Sequence, residues 1–400
     1  MSRLNELIQQ YCPDGVEYKR LGDVCDIKGR IGFRGYTRQD LVEEADGAIT
    51  LSPSNIINQE LNYEDCSYIS WAKYEESPEI KVAVGDVIFT KTASVGKTAL
   101  VKYLPKEATI NPQLVVLKNI QCNSAFLAYV LKTYRFQKEV AKLQGVGSVP
   151  NISQTSLSGI TIPIPPRPVQ EEIVRILDNF AELQAELQAE LQKRLQQYNY
   201  YRDKLLSFNE LNRGGQNVSV EWKKLGEICN LSRGKVYSKS YIEKNAGAYP
   251  VYSSQTANNG ELGRISTYDY DGEYLTWTTD GAYAGTIFYR KDKFSITNVC
   301  GLISPKEDNL NIKFLFYWLS IKAPDYVYRG MGNPKLMSNQ MEPIKVPIPP
   351  LAEQQRIVDI LDRFDKLTTD ITAGLPAEIE ARRKQYEYYR DQLLTFKQKA

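Results

Sequence analysis

The chain of 400 residues contains no histidine. That absence excludes Ser-His-Asp and Cys-His nucleophile systems and HExxH metal sites, and it removes the commonest general base. Cysteine is sparse: six residues at 12, 25, 66, 122, 229 and 300, with no CxxC pair. They read as free thiols of a reducing cytoplasm, not as a disulfide or zinc framework. No apolar run reaches the roughly 18 residues of a membrane span, and the opening "MSRLNELIQQ" lacks signal-peptide features. The expectation is a cytoplasmic protein with no membrane partner. Net charge is only +2, so any nucleic-acid footprint has to be local. Hydrophobic content of 42% and charged content of 24% are ordinary, and the length accommodates two to four folding units. Tyrosine is plentiful at 27, pairing a flat apolar body with a hydroxyl handle.

What the chain does have, it has twice. "YNYYRDKLLSF" (198–208) returns as "YEYYRDQLLTF" (386–396), and "IPIPPRPVQEEIVRILDNF" (162–180) as "VPIPPLAEQQRIVDILDRF" (346–364). "VEYKRLGDVCDI" (16–27) is matched by "VEWKKLGEICNL" (220–231), "FLAYVL" (126–131) by "FLFYWL" (314–319), and "GVGSVP" (145–150) by "GMGNP" (330–334). "GDVIFTKTASVGKTALVKY" (85–103) stands where the second half has "GEYLTWTTDGAYAGTIFYR" (272–290). The frame is therefore variable block, matched helix, variable block, matched helix.

Each matched helix follows a proline cluster that ends a strand. Ile173, Leu177 and Phe180 open the first stripe, Leu183, Leu187, Leu191 and Leu195 continue it every four residues, and Tyr198, Tyr201, Leu205 and Phe208 close it. Ile357, Leu361 and Phe364, then Tyr386, Tyr389, Leu393 and Phe396, repeat the pattern. The length favours a separate antiparallel helix pair; the alternative is that each stripe packs onto its own domain. "TAGLP" (372–376) interrupts the second helix through Gly374 and Pro376. The variable blocks, with runs such as "KVAVGDVIFT" and "FSITNVCGLIS", read as twisted, mostly antiparallel sheets with a following helix in each half, "NSAFLAYVLKTYRFQKEVAKL" and "NIKFLFYWLSI". The predicted class is α+β: two αβ domains separated by an antiparallel pair of long helices in an internal pseudo-twofold repeat. The predicted boundaries are 1–158, 159–213, 214–343 and 344–400.

Three catalytic look-alikes fail. "ASVGKT" (93–98) lacks the P-loop's first glycine, since Lys91 stands there. "PDGVEYK" (13–19) resembles a PD…ExK nuclease but leaves no room for the hairpin between acid and ExK, and the second half has Glu221 and Lys223 without a PD. "NPQL" (111–114) lacks the second proline and aromatic of an adenine-methyltransferase motif, and no GxGxxG follows a strand. No catalytic residue and no metal ligand is assigned.

Two unlike modules on a shared helical frame suit a caliper. If each reads a short stretch of duplex DNA, the helices set the number of unread base pairs between the stretches. The helix face carrying Tyr200, Arg202, Asp203 and Lys204, and again Tyr388, Arg390, Asp391 and Gln392, then becomes a docking patch for two copies of one partner. Packing of the helices on one another is the alternative use of these tyrosines.

With these phrases in view, the chain resembles the specificity subunit of type I restriction–modification systems. It is most similar to the subfamily with a four-residue tandem repeat in its central helix, here "AELQAELQAELQ" (181–192). The resemblance covers essentially the whole chain. It implies a non-catalytic subunit with two target recognition domains that reads a bipartite site. It implies two methyltransferase subunits using S-adenosylmethionine, and restriction subunits using ATP and Mg; this chain itself holds no cofactor. Because the variable blocks differ, the site is expected to be asymmetric, and the repeat number to tune its gap.

Phosphate contacts need exposed Lys and Arg, and base contacts need Arg, Asn, Gln, Ser or Thr reaching a groove. In the first half the candidates are Lys28, Arg30 and Arg34, then Lys91, Thr92, Ser94 and Lys97, with Gln144 and Ser148. In the second they are Arg233, Lys235 and Tyr237, then Ser253, Ser254, Gln255 and Asn258, then Thr278, Thr279 and Tyr283, with Arg329, Asn333 and Lys335. The competing function is a coiled-coil scaffold whose two αβ modules bind proteins, without DNA readout; salt-dependent retention on duplex DNA separates the two.

Overall fold

The structure, a computed structural model, describes residues 3–32, 35–145, 147–208, 220–330, 332–369 and 374–399. The chain divides into two units, Met1–Gln188 with Glu378–Ala400, and Ala189–Ala377. Each unit thus joins one variable block to the start of its own matched helix and the end of the other one.

In the first unit, β1 (Glu17–Arg20) pairs antiparallel with β12 (Thr161–Ile164), the strand that ends in the proline cluster. One four-stranded sheet has the order β2 (Asp26–Lys28), β11 (Leu114–Lys118), β8 (Val87–Thr90), β9 (Thr98–Leu100), antiparallel throughout. The other runs β10 (Ala108–Ile110), β4 (Gly47–Leu51), β7 (Ser67–Ser70), β3 (Leu41–Val42), with β10 and β4 parallel. A hairpin of β5 (Ile56–Ile57) and β6 (Glu60–Leu61) turns through Asn58 and Gln59, both at positive φ as its two-residue loop requires.

The first sheet explains its own sequence. Val87, Phe89, Val115 and Leu117 point into the helical core, while Ile88, Leu114 and Val116 point into a second core against the other sheet. Both faces are covered, so these strands read as continuous apolar runs instead of alternating ones.

The second unit repeats this plan. β13 (Glu221–Lys224) pairs with β22 (Lys345–Ile348), and β14 (Cys229–Arg233), β21 (Cys300–Pro305), β18 (Tyr274–Thr278) and β19 (Ile287–Arg290) form a sheet in the same order as its counterpart. In the remaining sheet, β16 (Glu261–Ile265), β15 (Ala246–Tyr252) and β20 (Lys293–Ile296) match β7, β4 and β10, including the parallel pair β15–β20. The fourth strand differs: β3 lies outside β7, whereas β17 (Tyr270–Asp271) lies outside β20. The two copies therefore differ in strand order in this sheet, and among the described residues the β5–β6 hairpin is a further difference between them. The expectation of mostly antiparallel sheets holds, with one parallel pair per unit in addition.

The matched helices are Arg167–Leu206, 40 residues without a break, and the pair Leu351–Thr369 and Leu375–Leu393. Residues 372 and 373 of the predicted interruption lie outside the described residues, but the second helix does end before Gly374 and restart at Leu375. The two matched helices contact each other through their aromatic residues, and the ends of the apolar stripe in addition pack onto the domain cores. Val169, Ile173 and Leu177 are fully buried in the first unit's own core, together with Tyr386 and Leu394. Ile357 and Leu361 lie in the second unit's core with Leu206 and Phe208. Between them, Leu183 is 55% exposed. A step of four residues turns a helix by about 400°, so a leucine every four drifts about 40° per step off any fixed face.

The helix expected over "NSAFLAYVLKTYRFQKEVAKL" is two helices, Ser124–Leu131 and Tyr134–Lys142, because Thr133 caps the second by accepting from the Phe136 amide. Asn123 caps Ser124–Leu131 through the Ala125 and Phe126 amides, and Asn311 caps Ile312–Lys322 through Lys313 and Phe314 in the same way. A buried glutamine ties each of these caps to its matched helix: Gln170 accepts from the Asn123 amide and Gln354 from the Asn311 amide, both at 2.8 Å.

Candidate nucleic-acid interface

In each unit, two loops far apart in sequence are joined at the same point. After β8, the amide of Ala93 donates to the Pro150 carbonyl at 2.8 Å, Thr92 bridges Asn151, and the Ile152 amide donates to the Lys91 carbonyl at 2.9 Å. After β18, the amide of Gly281 donates to the Pro334 carbonyl at 3.0 Å, Asp280 bridges Lys335, and the Leu336 amide donates to the Thr279 carbonyl at 2.8 Å. The same three backbone links recur in both units, and the side chains carried on them differ. On the first, Ser94, Lys97 and Ser148 are exposed and Lys91, Thr92 and Gln144 half-buried; on the second, Tyr283, Arg329, Asn333 and Lys335 are exposed. The predicted groups 91–97 with 144–148, and 278–283 with 329–335, are thus brought together within their units.

Several predicted side chains face inward instead. Arg30 is 5% exposed: its Nε donates to the Ile110 carbonyl at 3.3 Å, its Nη2 to the Thr109 hydroxyl at 3.4 Å, and Tyr36 lies against it. It belongs to the junction with β10, not to a DNA-facing surface. Thr278 and Thr279 are buried, donating to the carbonyls of Tyr283 and Val299 at 2.5 and 2.7 Å. Lys28 is half-buried in β2, and Arg34 lies outside the described residues. Lys97 Nζ donates to the carbonyls of Pro53 and Ile56 at 3.2 and 3.4 Å, so this lysine of the false P-loop ties two loops together.

In the second unit, Arg233 and Lys235 are exposed. Lys235 pairs with Asp269 at 2.5 Å, and the Tyr237 hydroxyl donates to the same carboxylate at 2.6 Å. Burial works to raise Asp269, but the Lys235 and Tyr237 hydrogen bonds overcome it and hold the carboxyl below its ordinary range. The loop 253–259 is built from within. Ser253 accepts from Thr297, Ser254 donates to the Val299 carbonyl, and Gln255 Nε2 donates to the Glu261 carbonyl at 2.6 Å. Only Ala257, Asn258 and Asn259 are exposed there, the two asparagines at φ near 50°. Sequence reasoning passed over Arg290, which lies beneath this loop; at the end of "TIFYR" it reads as an ordinary strand terminus.

The helical patch divides likewise. Tyr200 and Tyr388 are 61% and 62% exposed, and Lys204 and Gln392 are exposed one turn on. Arg390 is 6% exposed, bonded to Asp391 and set over Tyr386, which removes it from the docking candidates; Arg202, bonded to Asp203, is half-buried. A cleft lies beside the patch in each unit. The first, about 340 Å³, is lined by Tyr134, Ile160, Asp391 and Leu394 among others. The second, about 690 Å³, is lined by the repeat-equivalent Lys322, Ile344, Asp203 and Leu206. In the first, the Tyr134 amide donates to the Asp391 carboxylate at 3.3 Å.

Among the described residues no cluster of His, Cys, Asp and Glu could hold a metal ion, and no helix is long and apolar enough to cross a membrane. The pattern of the family described as "Type I restriction modification DNA specificity domain" matches residues 13–197 and 217–381. The type I restriction enzyme MpnII specificity subunit of Mycoplasma pneumoniae is 46% identical over 204 residues, which are 51% of this chain and 62% of that protein. The type I restriction-modification S subunit from M. genitalium superposes with a TM-score of 0.57 at 16% identity, over 95% of this chain and 96% of that one. A chain from a structure concerned with complex assembly and conformational transition of the type I R-M system gives 0.62 at 19% identity, over 96% and 98%. At those identities the structural likeness is one of fold.

Proposed function

The chain belongs to the type I restriction modification DNA specificity domain family, non-catalytic DNA-recognition components of restriction systems, and on that premise we propose that it reads a bipartite, asymmetric site with one recognition domain per half. The recognition domains are residues 1–158 and 214–343, and the helical segments 159–213 and 344–400 carry the docking faces. The observation that carries this reading is the duplicated loop bridge, Ala93 to Pro150 and Gly281 to Pro334, which presents different polar side chains from one backbone scaffold. A common scaffold with unlike contents is what two readers of different sequences require, since base identity is read by side-chain donors and acceptors.

Two methyltransferase subunits dock at the repeated patches around Tyr200 and Tyr388 and their neighbouring clefts, and restriction subunits join that core. S-adenosylmethionine, ATP and Mg act on those partners. The "AELQ" repeat inside Arg167–Leu206 sets the unread gap. The test is methylation-aware sequencing of cells carrying the chain with its methyltransferase partner. Methylated adenines should fall in a two-part, non-palindromic motif and disappear when the chain is deleted. A single contiguous motif, or methylation indifferent to the chain, would overturn the proposal.

A further inference from the structure

Arg290 is 2% exposed at the end of β19, between the two four-stranded sheets of the second unit. Its Nε donates to the Thr276 hydroxyl at 3.0 Å, and its guanidinium lies 3.6 Å from the centroid of Tyr252 and 4.5 Å from that of Phe288. Nη1 and Nη2 are buried and make no hydrogen bond of ordinary geometry among the described residues, the Tyr252 side chain and the more distant Glu261 being among the groups that favour their charge. Glu261, at the start of β16, is engaged by Arg264 at 2.9 Å. A buried charge without a carboxylate is unfavourable, and an apolar side chain of similar volume would fill the space at less cost.

The guanidinium lies where the polar loop begins and ends. Tyr252, on which it stacks, precedes Ser253, and a Cβ on Gly260 would come within 2.9 Å of Nη2. Between them Asn258 and Asn259 present their side chains from a left-handed backbone that continues through Gly260. Anything that displaces the guanidinium moves both ends of that turn.

We infer that Arg290 is a positioning residue for DNA readout: stacked on Tyr252 beneath Gly260, it holds Ser253–Asn259 in the shape that selects the second half-site. The inference rests on the reading that the second domain contacts DNA. Planarity and the Nε bond do the positioning, so Arg290→Lys, which keeps the charge but neither feature, should behave like Arg290→Met.

The test selects bound duplexes from two libraries, each randomised in one half-site, using the complex with the methyltransferase partner. Both variants should lose about tenfold of their preference at the second half-site, keep the first intact, and keep the wild-type melting transition. A merely structural role would lower melting and affinity for all duplexes without changing which bases are preferred. Unchanged preference in Arg290→Met overturns the inference. If the Arg290 variants do not fold, Thr276→Val decides: it removes the Nε acceptor without loss of volume, should relax the second half-site in part, and overturns the inference if it does not. Wild-type complex that selects no sequence from either library would instead count against DNA readout itself.

Discussion

The ring of Phe180 stacks on that of Tyr389 with centroids 5.6 Å apart and 25° between the planes. Phe364 and Tyr201 repeat the contact at 5.7 Å and 25°. Each stack joins the start of one matched helix to the end of the other within a single unit. An aromatic pair of this kind couples by about 0.5–1.5 kcal/mol beyond the area it buries. A double-mutant cycle of Phe180→Leu with Tyr389→Leu, followed by chemical denaturation, should return a coupling in that range. The cycle of Phe364→Leu with Tyr201→Leu should agree within about 0.5 kcal/mol. Additive single effects in either cycle would mean that the stack is incidental.

The glutamines below the caps make a stronger demand. Gln170 is 3% exposed, accepts from the Asn123 amide and donates to the Pro165 carbonyl at 2.7 Å; Gln354 is fully buried and donates to Pro349 at 2.9 Å. Leucine at either place would strand a part-buried backbone amide and a buried carbonyl, at about 1–3 kcal/mol for each group left unpaired, the amide at the lower end. Gln170→Leu and Gln354→Leu should therefore each destabilise by roughly 2–5 kcal/mol in denaturant titrations. Exposed Gln392→Leu should shift the midpoint by no more than about 0.5 kcal/mol.

How much of this was legible depended on whether a residue's environment is local. The copied phrases exposed the frame because helices, caps and proline clusters are set by neighbours a few residues away, as with Asn123, Asn311 and the strand-ending prolines. The inward turn of Arg30 depends on Ile110, 80 residues on, and that of Arg390 on its place in the core beside Tyr386. An arginine in a loop or on a helix end has the same sequence context whether it meets water or a carbonyl. The parallel pairs β4–β10 and β15–β20 were hidden for the same reason. Their partners lie dozens of residues apart, and period-2 patterning carries no strand direction.

Lys335 and Lys97 should separate phosphate contact from loop support. Lys335 is exposed on the bridged loop of the second unit, whereas Lys97 holds the carbonyls of Pro53 and Ile56. If Lys335 meets a phosphate, Lys335→Ala should lower the slope of log affinity against log salt by about 0.9 without altering base preference. Lys97→Ala should instead loosen its loop pair and lower the melting temperature. Equal salt slopes for wild type and Lys335→Ala would remove Lys335 from the interface.

Asp269 makes the acid limb of the second unit's stability testable. Its carboxyl is held below its ordinary range against the effect of burial by Lys235 and Tyr237. A depressed carboxylate contributes stability that is fully present above its unfolded value, about 3.9, and is lost as pH falls through the lower folded value. Asp269→Asn should flatten the fall in melting temperature below about pH 4 and lower the plateau at neutral pH. A variant whose acid limb runs parallel to wild type would show that the pairing adds nothing to folding.

If the central helix spaces two half-sites as proposed, the tandem repeat is the most direct handle on the gap. One further "AELQ" after Gln192 lengthens the helix Arg167–Leu206 by about 6 Å and adds roughly 400° of turn, which nearly restores the facing of whatever follows. At about 3.4 Å per base pair, the methylated motif should keep both half-sites and widen its gap by about two base pairs. Inserting two residues instead adds about 3 Å but turns the helix by roughly 200°, so the following domain would face away from its half-site and methylation should collapse. The contrast distinguishes a spacer that acts through helical geometry from one that acts as a slack tether, because a tether would accept either insertion with the original gap intact.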